Sequence, residues 1–205
     1  MKIEVAEDKS SYRQIFKATS IFGGVRVFQI LIKIILSKFV AILIGPAGMG
    51  IFSLFTSTTN LISSFTSFGL GISSVKDIAK ANSSGNNDRI ATIIKVLQRW
   101  VWVTGILGFL VTIILSPWLS ELTFGNSHYT WSFIWLSFSL LFMQISKGQL
   151  AVLQGLSKIK LLAKANVYSN LLNLLISVPI LYKFNINGIV PSIILSAIIT
   201  LLITT

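Results

Sequence analysis

Six apolar runs follow one another from residue 15 to the end of the chain, and each is about as long as a helix must be to cross a bilayer. Roughly 20 mostly apolar residues, at 1.5 Å per residue, match the ~30 Å of bilayer hydrocarbon. The runs predict spanning helices at about 15–44, 48–75, 94–116, 129–155, 160–182 and 186–205. The expected fold is all-α: a polytopic membrane protein. Composition points the same way, because a chain of 205 residues that is 53% hydrophobic, with a mean hydropathy of +0.81, is too apolar to cover an aqueous surface. The opening stretch MKIEVAEDKSSYRQIFK carries Glu4, Glu7 and Asp8 ahead of a run too long for a signal-peptide core. The first span is therefore expected to remain as a transmembrane helix.

The connections are short and rich in turn residues. Gly45-Pro46 divides the first run from the second, because proline cannot extend a helix and glycine tolerates positive φ. SSGNND at 83–88, Pro117 to His128, Gly155 to Lys160 and Asn185 to Gly188 read as the other turns. With the N-terminus in the cytoplasm, the cytoplasmic segments collect Lys2, Lys9, Arg13, Lys17, Lys76, Lys80, Arg89, Lys95, Arg99, Lys158, Lys160 and Lys164, twelve of the seventeen basic residues. The outer loops hold only Lys183, which is the positive-inside pattern of a multi-pass inner-membrane protein. The net charge of +11 is thereby explained without nucleic acid as a partner. Trp100 and Trp118, about 27 Å apart along a helix, and Trp131 and Trp135 read as interface anchors.

Four cations remain inside the spans. On a helical wheel Arg26 and Lys33 fall within about 20° of each other, on a stripe with Thr19, Gly23, Gln29 and Ser37. The face of Ile21, Val25, Phe28, Ile32, Ile35 and Phe39 opposes it. Each central cation costs on the order of 2.5–3.5 kcal/mol to insert, and no Asp or Glu lies in any span to offset that. Arg26 and Lys33 therefore read as functional, facing protein or water. Lys38 is rotated by about 120° and reads as snorkelling to the headgroups. Lys147 reads as lumen-facing, on a face shared with Gln154 and more loosely Gln144, with snorkelling as the alternative. Asn60 belongs to a stripe of Ser53, Ser57, Ser64, Ser67 and Gly71 that reads mainly as helix packing. Asn166, Asn170 and Asn173, with Ser177, form a stripe for which packing and lumen lining both stand. Together these residues imply a bundle with a wet, cationic interior, which recruits an anion through charge-assisted hydrogen bonds; phosphate or diphosphate suits it. Membrane lipids are the surrounding partner.

Residues 17–81, with LIGPAGMGIF at 43–52 and SFGLGISSVKDIAKA at 67–81, and NINGIVPSIILSA at 185–197, closely resemble Wzx-type O-antigen translocases. These polysaccharide flippases belong to the multidrug/oligosaccharidyl-lipid/polysaccharide exporter superfamily. The resemblance implies a MATE-like fold of twelve to fourteen helices in two lobes around a central cavity. It also implies alternating access acting on an undecaprenyl-diphosphate-linked oligosaccharide, a surface polysaccharide repeat unit. Six spans would make this chain the first lobe, the N-terminal part of a longer protein. Arg26 and Lys33 best match the family's cationic lumen, and Lys147 is a looser match. Polysaccharide polymerase and chain-length machinery are the protein partners it implies.

Other classes fit less well. With no cysteines there are no disulfides, thiolate metal sites or cysteine nucleophiles, and no metal or cofactor is expected. A drug antiporter of the same superfamily would want acidic residues in its cavity. A membrane glycosyltransferase or polymerase needs a general acid or base, or metal-binding carboxylates; His128 and Glu121 are the only outer-loop candidates, and His128 reads as a loop residue. The expected protein is thus not an enzyme. A non-transporting component of a polysaccharide assembly complex is the remaining alternative.

Overall fold

The computed structural model describes the backbone of residues 2–205 and the side chains of residues 23, 24 and 27–205. Seven α-helices follow in order: α1 (Lys2–Thr66), α2 (Leu70–Ser83), α3 (Asn87–Ile114), α4 (Ser116–Phe124), α5 (Thr130–Gly155), α6 (Ile159–Phe184) and α7 (Ile189–Thr204). A short 3₁₀ turn, Asn185–Gly188, joins α6 to α7. Among the described residues four helical stretches are long and apolar enough to cross a membrane: Val27–Thr66, Asn87–Ile114, Thr130–Gly155 and Ile159–Thr204.

Two of these stretches hold 40 and 46 residues, about 60 and 69 Å if straight, or twice the hydrocarbon thickness. Neither is straight. Gly45 adopts φ 69° and ψ −179° within α1, a conformation essentially closed to residues with a Cβ, and Pro46 follows it. In one rod Leu36 and Asn60 would stand about 36 Å apart, yet both line a single cavity. In the second stretch Asn173 donates to Thr200 at 3.4 Å, and Ser177 pairs with Ser196 at 3.4 Å. As the number falls on one helix it rises on the other, so α6 and α7 are antiparallel about Asn185–Gly188.

The same reasoning orders the rest. Gln144 donates to Thr104 at 3.2 Å, and Phe138 packs its ring on Phe109, so α3 and α5 are antiparallel. A Cβ placed on Gly148 would lie 2.6 Å from Cγ2 of Val101, which shows how closely this pair approaches. Parallel to α5 runs α7: Trp131 and Asn187 share one end of a groove, and Thr204 donates to Gln149 at 2.6 Å at the other.

Two apolar clusters hold the bundle. One gathers Val40, Ile44, Phe55, Leu119, Phe133, Leu136, Leu181 and Ile189, with Phe124 and Tyr129 stacked around Phe55 at ring separations of 5.0 and 5.7 Å. The other joins Ile78, Leu97 and Val101. Burying side chains of this size contributes on the order of 1.5–3 kcal/mol each in water. In lipid the comparable gain comes from close packing instead.

Several boundaries differ from the sequence expectation. The second apolar run ends at Thr66 rather than near 75, because Phe68 and Gly69 both take positive φ, 47° and 70°, before α2 begins. α3 begins seven residues earlier than expected, where Asn86 caps it by accepting from Arg89 N at 2.9 Å. Residues 116–124 form a helix, not a turn: Pro117 falls in the first turn, where its missing N–H costs nothing, and Gly125 closes the helix at φ 70°. The buried Ser120 then donates to the Asn126 carbonyl at 2.7 Å and accepts from Tyr129 N at 3.1 Å, fixing the link to α5.

Candidate functional site

A compartment lined by both polar and apolar side chains begins one turn along α1 from the aromatic cluster. Its volume is about 320 Å³ and its walls come from α1, α5, α6 and α7. The sequence folds this way because each contributing helix carries hydroxyls or amides at helical spacing: Thr56, Thr59 and Asn60 on α1, Ser146 and Lys147 on α5, Asn173 and Ser177 on α6, and Ser192, Ser196 and Thr200 on α7. Thr59, Ser146, Ser177 and Ser192 are buried, whereas Asn60 and Lys147 are exposed. A second groove, about 720 Å³, follows α5 and α7 past Trp131, Trp135, Phe138, Phe142 and Pro191. It is larger and holds no charged side chain, so the one cation in these two linings belongs to the smaller compartment.

Most of the cavity hydroxyls are already committed as donors. Thr56, Thr59, Ser146, Ser192 and Thr200 each donate to a carbonyl of their own helix at 2.7–2.9 Å, a common way for Ser and Thr to lie inside helices. Their lone pairs stay available. Lys147 supplies the one charged donor: its Nζ donates to Ser63 Oγ on α1 at 2.7 Å. Asn173 Oδ1 is buried without a partner in the structure. There is no carboxylate between Asp8 and Asp77 or after Glu121, so none of the segments facing Lys147 can balance its charge.

The expected site residues divide into groups. Lys147, Asn60 and Asn173 come together in the cavity. Lys33 does not join them. It is exposed and lies in a shallow groove of α1 with Ile30, Ile34, Ser37, Ala41 and Lys38, so Lys38, expected to stand apart from this stripe, shares its groove. The face of α1 that packs into the bundle is Ile32, Leu36, Val40 and Ile44, so Ile32 belongs to the packed face while Phe28, Ile35 and Phe39 are exposed. The Arg26 side chain lies outside the described residues. Asn166 and Asn170 donate to the carbonyls of Leu162 and Asn166, at 2.9 and 2.7 Å, and line no part of the cavity.

Two further readings change. Gln144 does not share Lys147's surroundings; it is buried against α3 through Thr104. Ser53, Ser57, Asn60 and Ser64 are exposed rather than packed, because the packed face of that half of α1 is Phe55, Thr59, Ser63 and Thr66. Both halves of α1 thus carry exposed polar residues, of which Asn60 also lines the cavity. The sequence reading missed the hydroxyls of α7, although Ser192, Ser196, Thr200 and Thr204 recur at every fourth residue and so mark one face.

The family model described as "Polysaccharide biosynthesis protein" matches residues 15–205. No curated protein and no solved structure matches the chain.

Proposed function

From the premise that this chain belongs to the polysaccharide biosynthesis protein family, we propose that it is a lobe of a flippase for an anionic, lipid-linked oligosaccharide. The two double-length stretches each cross the membrane twice in this reading, giving six crossings with the N-terminus on the cytoplasmic side of the inner membrane. The lipid tail stays in the bilayer while the diphosphate headgroup passes the cationic face of α1. A translocated charge of about −2 leaving a negative interior gains roughly 4–5 kcal/mol per 100 mV of membrane potential, which favours outward movement.

One observation carries the reading: Lys33 and Lys38 share a groove on the exposed side of α1, with no carboxylate in that helix beyond Asp8. Lipid alone is a poor neighbour for two such charges. A diphosphate supplies the missing counter-charge, and each ammonium gives it up to three donors.

The test replaces both lysines by glutamine in the intact protein and follows externally displayed glycan in cells that lack the native gene. Loss of two charge-assisted hydrogen bonds predicts at least a roughly tenfold fall in translocated glycan at equal protein level. Unchanged display would refute the reading and favour a non-transporting role in polysaccharide assembly.

A further inference from the structure

We propose that the cavity between α1, α5, α6 and α7 binds a single acidic sugar residue, one that carries a carboxylate together with several hydroxyls. The proposal rests on the transport reading above and names what this compartment selects within the glycan.

Hydrogen bonding supplies the first argument. Five of the cavity hydroxyls spend their protons on their own helices. Ser177 and Ser196 pair with each other at 3.4 Å. These oxygens are acceptors set in a mostly apolar lining, and a sugar ring matches both features: its hydroxyls are donors spaced a few ångströms apart, and its C–H faces are apolar.

Charge supplies the second. Lys147 commits one N–H to Ser63 and retains two, and no lining helix offers it an anion within the cavity. A carboxylate on the ligand provides both the counter-charge and two acceptor oxygens. Inorganic phosphate satisfies the ammonium but has no apolar face and few O–H donors; a neutral hexose has both but no charge. The volume of about 320 Å³ equals about ten waters at ≈ 30 Å³ each, which is room for one sugar residue and a few waters but not for a whole repeat unit. Lys147 and Asn60 are exposed, and the other polar lining residues are buried or half-buried. The carboxylate therefore meets the ammonium on the accessible side, while the ring lies against the more buried serines and threonines.

Thermal unfolding of the purified full chain in detergent, titrated with glucuronate, glucose and inorganic phosphate at matched ionic strength, tests this. Glucuronate is expected to raise the unfolding temperature saturably, with a half-saturation roughly tenfold lower than glucose or phosphate, the scale of one charge-assisted hydrogen bond. Lys147→Met should erase the preference for glucuronate over glucose, and Lys147→Arg should keep it. Equal responses to glucose and glucuronate, equal responses to phosphate and glucuronate, no saturable response to any of the three, or a preference that survives Lys147→Met would each overturn the proposal. Should Lys147→Met fail to fold, the wild-type titration decides alone. Sugar binding without glycan translocation would remove the transport reading and leave this one standing; translocation without sugar binding would do the reverse.

Discussion

A close approach between helices yields the most quantitative prediction. Replacing Gly148 by alanine puts a Cβ 2.6 Å from Cγ2, 3.1 Å from Cγ1 and 3.4 Å from Cβ of Val101. Ordinary carbon contacts lie near 3.5–4.0 Å, so about 1 Å of overlap must be relieved. Rotating the valine does not help, because both γ-methyls are already too near and a β-branched side chain in a helix has one strongly preferred rotamer. The helices must separate. Overpacking of this kind costs about 1–3 kcal/mol, and separation by 1 Å also stretches the Gln144–Thr104 bond, now 3.2 Å and one turn away, which contributes roughly 1 kcal/mol. Alanine's better helix propensity returns about 1 kcal/mol. The net loss is about 1–3 kcal/mol, or roughly 2–10 °C in Tm for a chain of this size. Thermal unfolding of the purified protein in detergent measures it. Adding Val101→Ala to Gly148→Ala should recover most of the loss, since it removes both offending methyls. A single variant as stable as the wild type, or a double variant no better than the single, would refute the reasoning.

Other substitutions follow from the same geometry. Gly105→Ala is tight only against the far end of Leu141 at 3.2 Å, with Gln144 Cβ at 3.6 Å and the Leu141 carbonyl at 3.7 Å in ordinary contact, so the leucine can move aside and Tm should stay within about 2 °C of wild type. Gly45→Ala forces a Cβ into φ 69°, ψ −179° and should cost about 1–3 kcal/mol, seen as a lower Tm and faster proteolysis near the break. Asn173→Leu removes an unpartnered buried oxygen and a long 3.4 Å bond; stability in thermal unfolding should hold or rise by up to about 1 kcal/mol. A lower Tm would mean that the amide is needed structurally.

How far the sequence revealed this structure depended on whether the signal was local. The breaks at Gly45-Pro46 and Asn185–Gly188 were legible because a positive φ and a missing amide are properties of the residues themselves. The helix at 116–124 was not, since Pro117 can open a helix as readily as end one, and the distinction depends on where the preceding turn closes. A helical wheel grouped Gln144 loosely with Lys147, but it gives angular position and not the neighbour that each angle meets; α3 takes Gln144, and the cavity takes Lys147. Lys33 shows the same limit. Its face was readable as polar, while the partner of that face depended on which side of α1 packs against α6, fixed by Ile32, Leu36 and Val40. The α7 hydroxyls escaped notice because apolar neighbours dominate that run, although the four-residue spacing was present.

Exposed lysines and cavity hydroxyls suit different chemistry, and this chain keeps Lys33 and Lys38 apart from the cavity. Lys33 and Lys38 lie on a groove formed by α1 alone, whereas four helices contribute acceptors around one ammonium in the cavity. A headgroup that joins a diphosphate to a glycan presents the same division, with concentrated charge at one end and hydroxyls at the other. The two sites should therefore fail separately under salt. Binding through exposed lysines weakens as the Debye length shrinks from about 10 Å at 0.1 M to about 3 Å at 1 M, whereas a cavity made mainly of hydroxyl contacts is screened much less. Wild-type protein in high salt should lose affinity for a diphosphate-linked lipid more steeply than for free glucuronate. If both affinities fell by the same factor, one shared electrostatic site would account for the data, and the separation argued from the two grooves would be wrong.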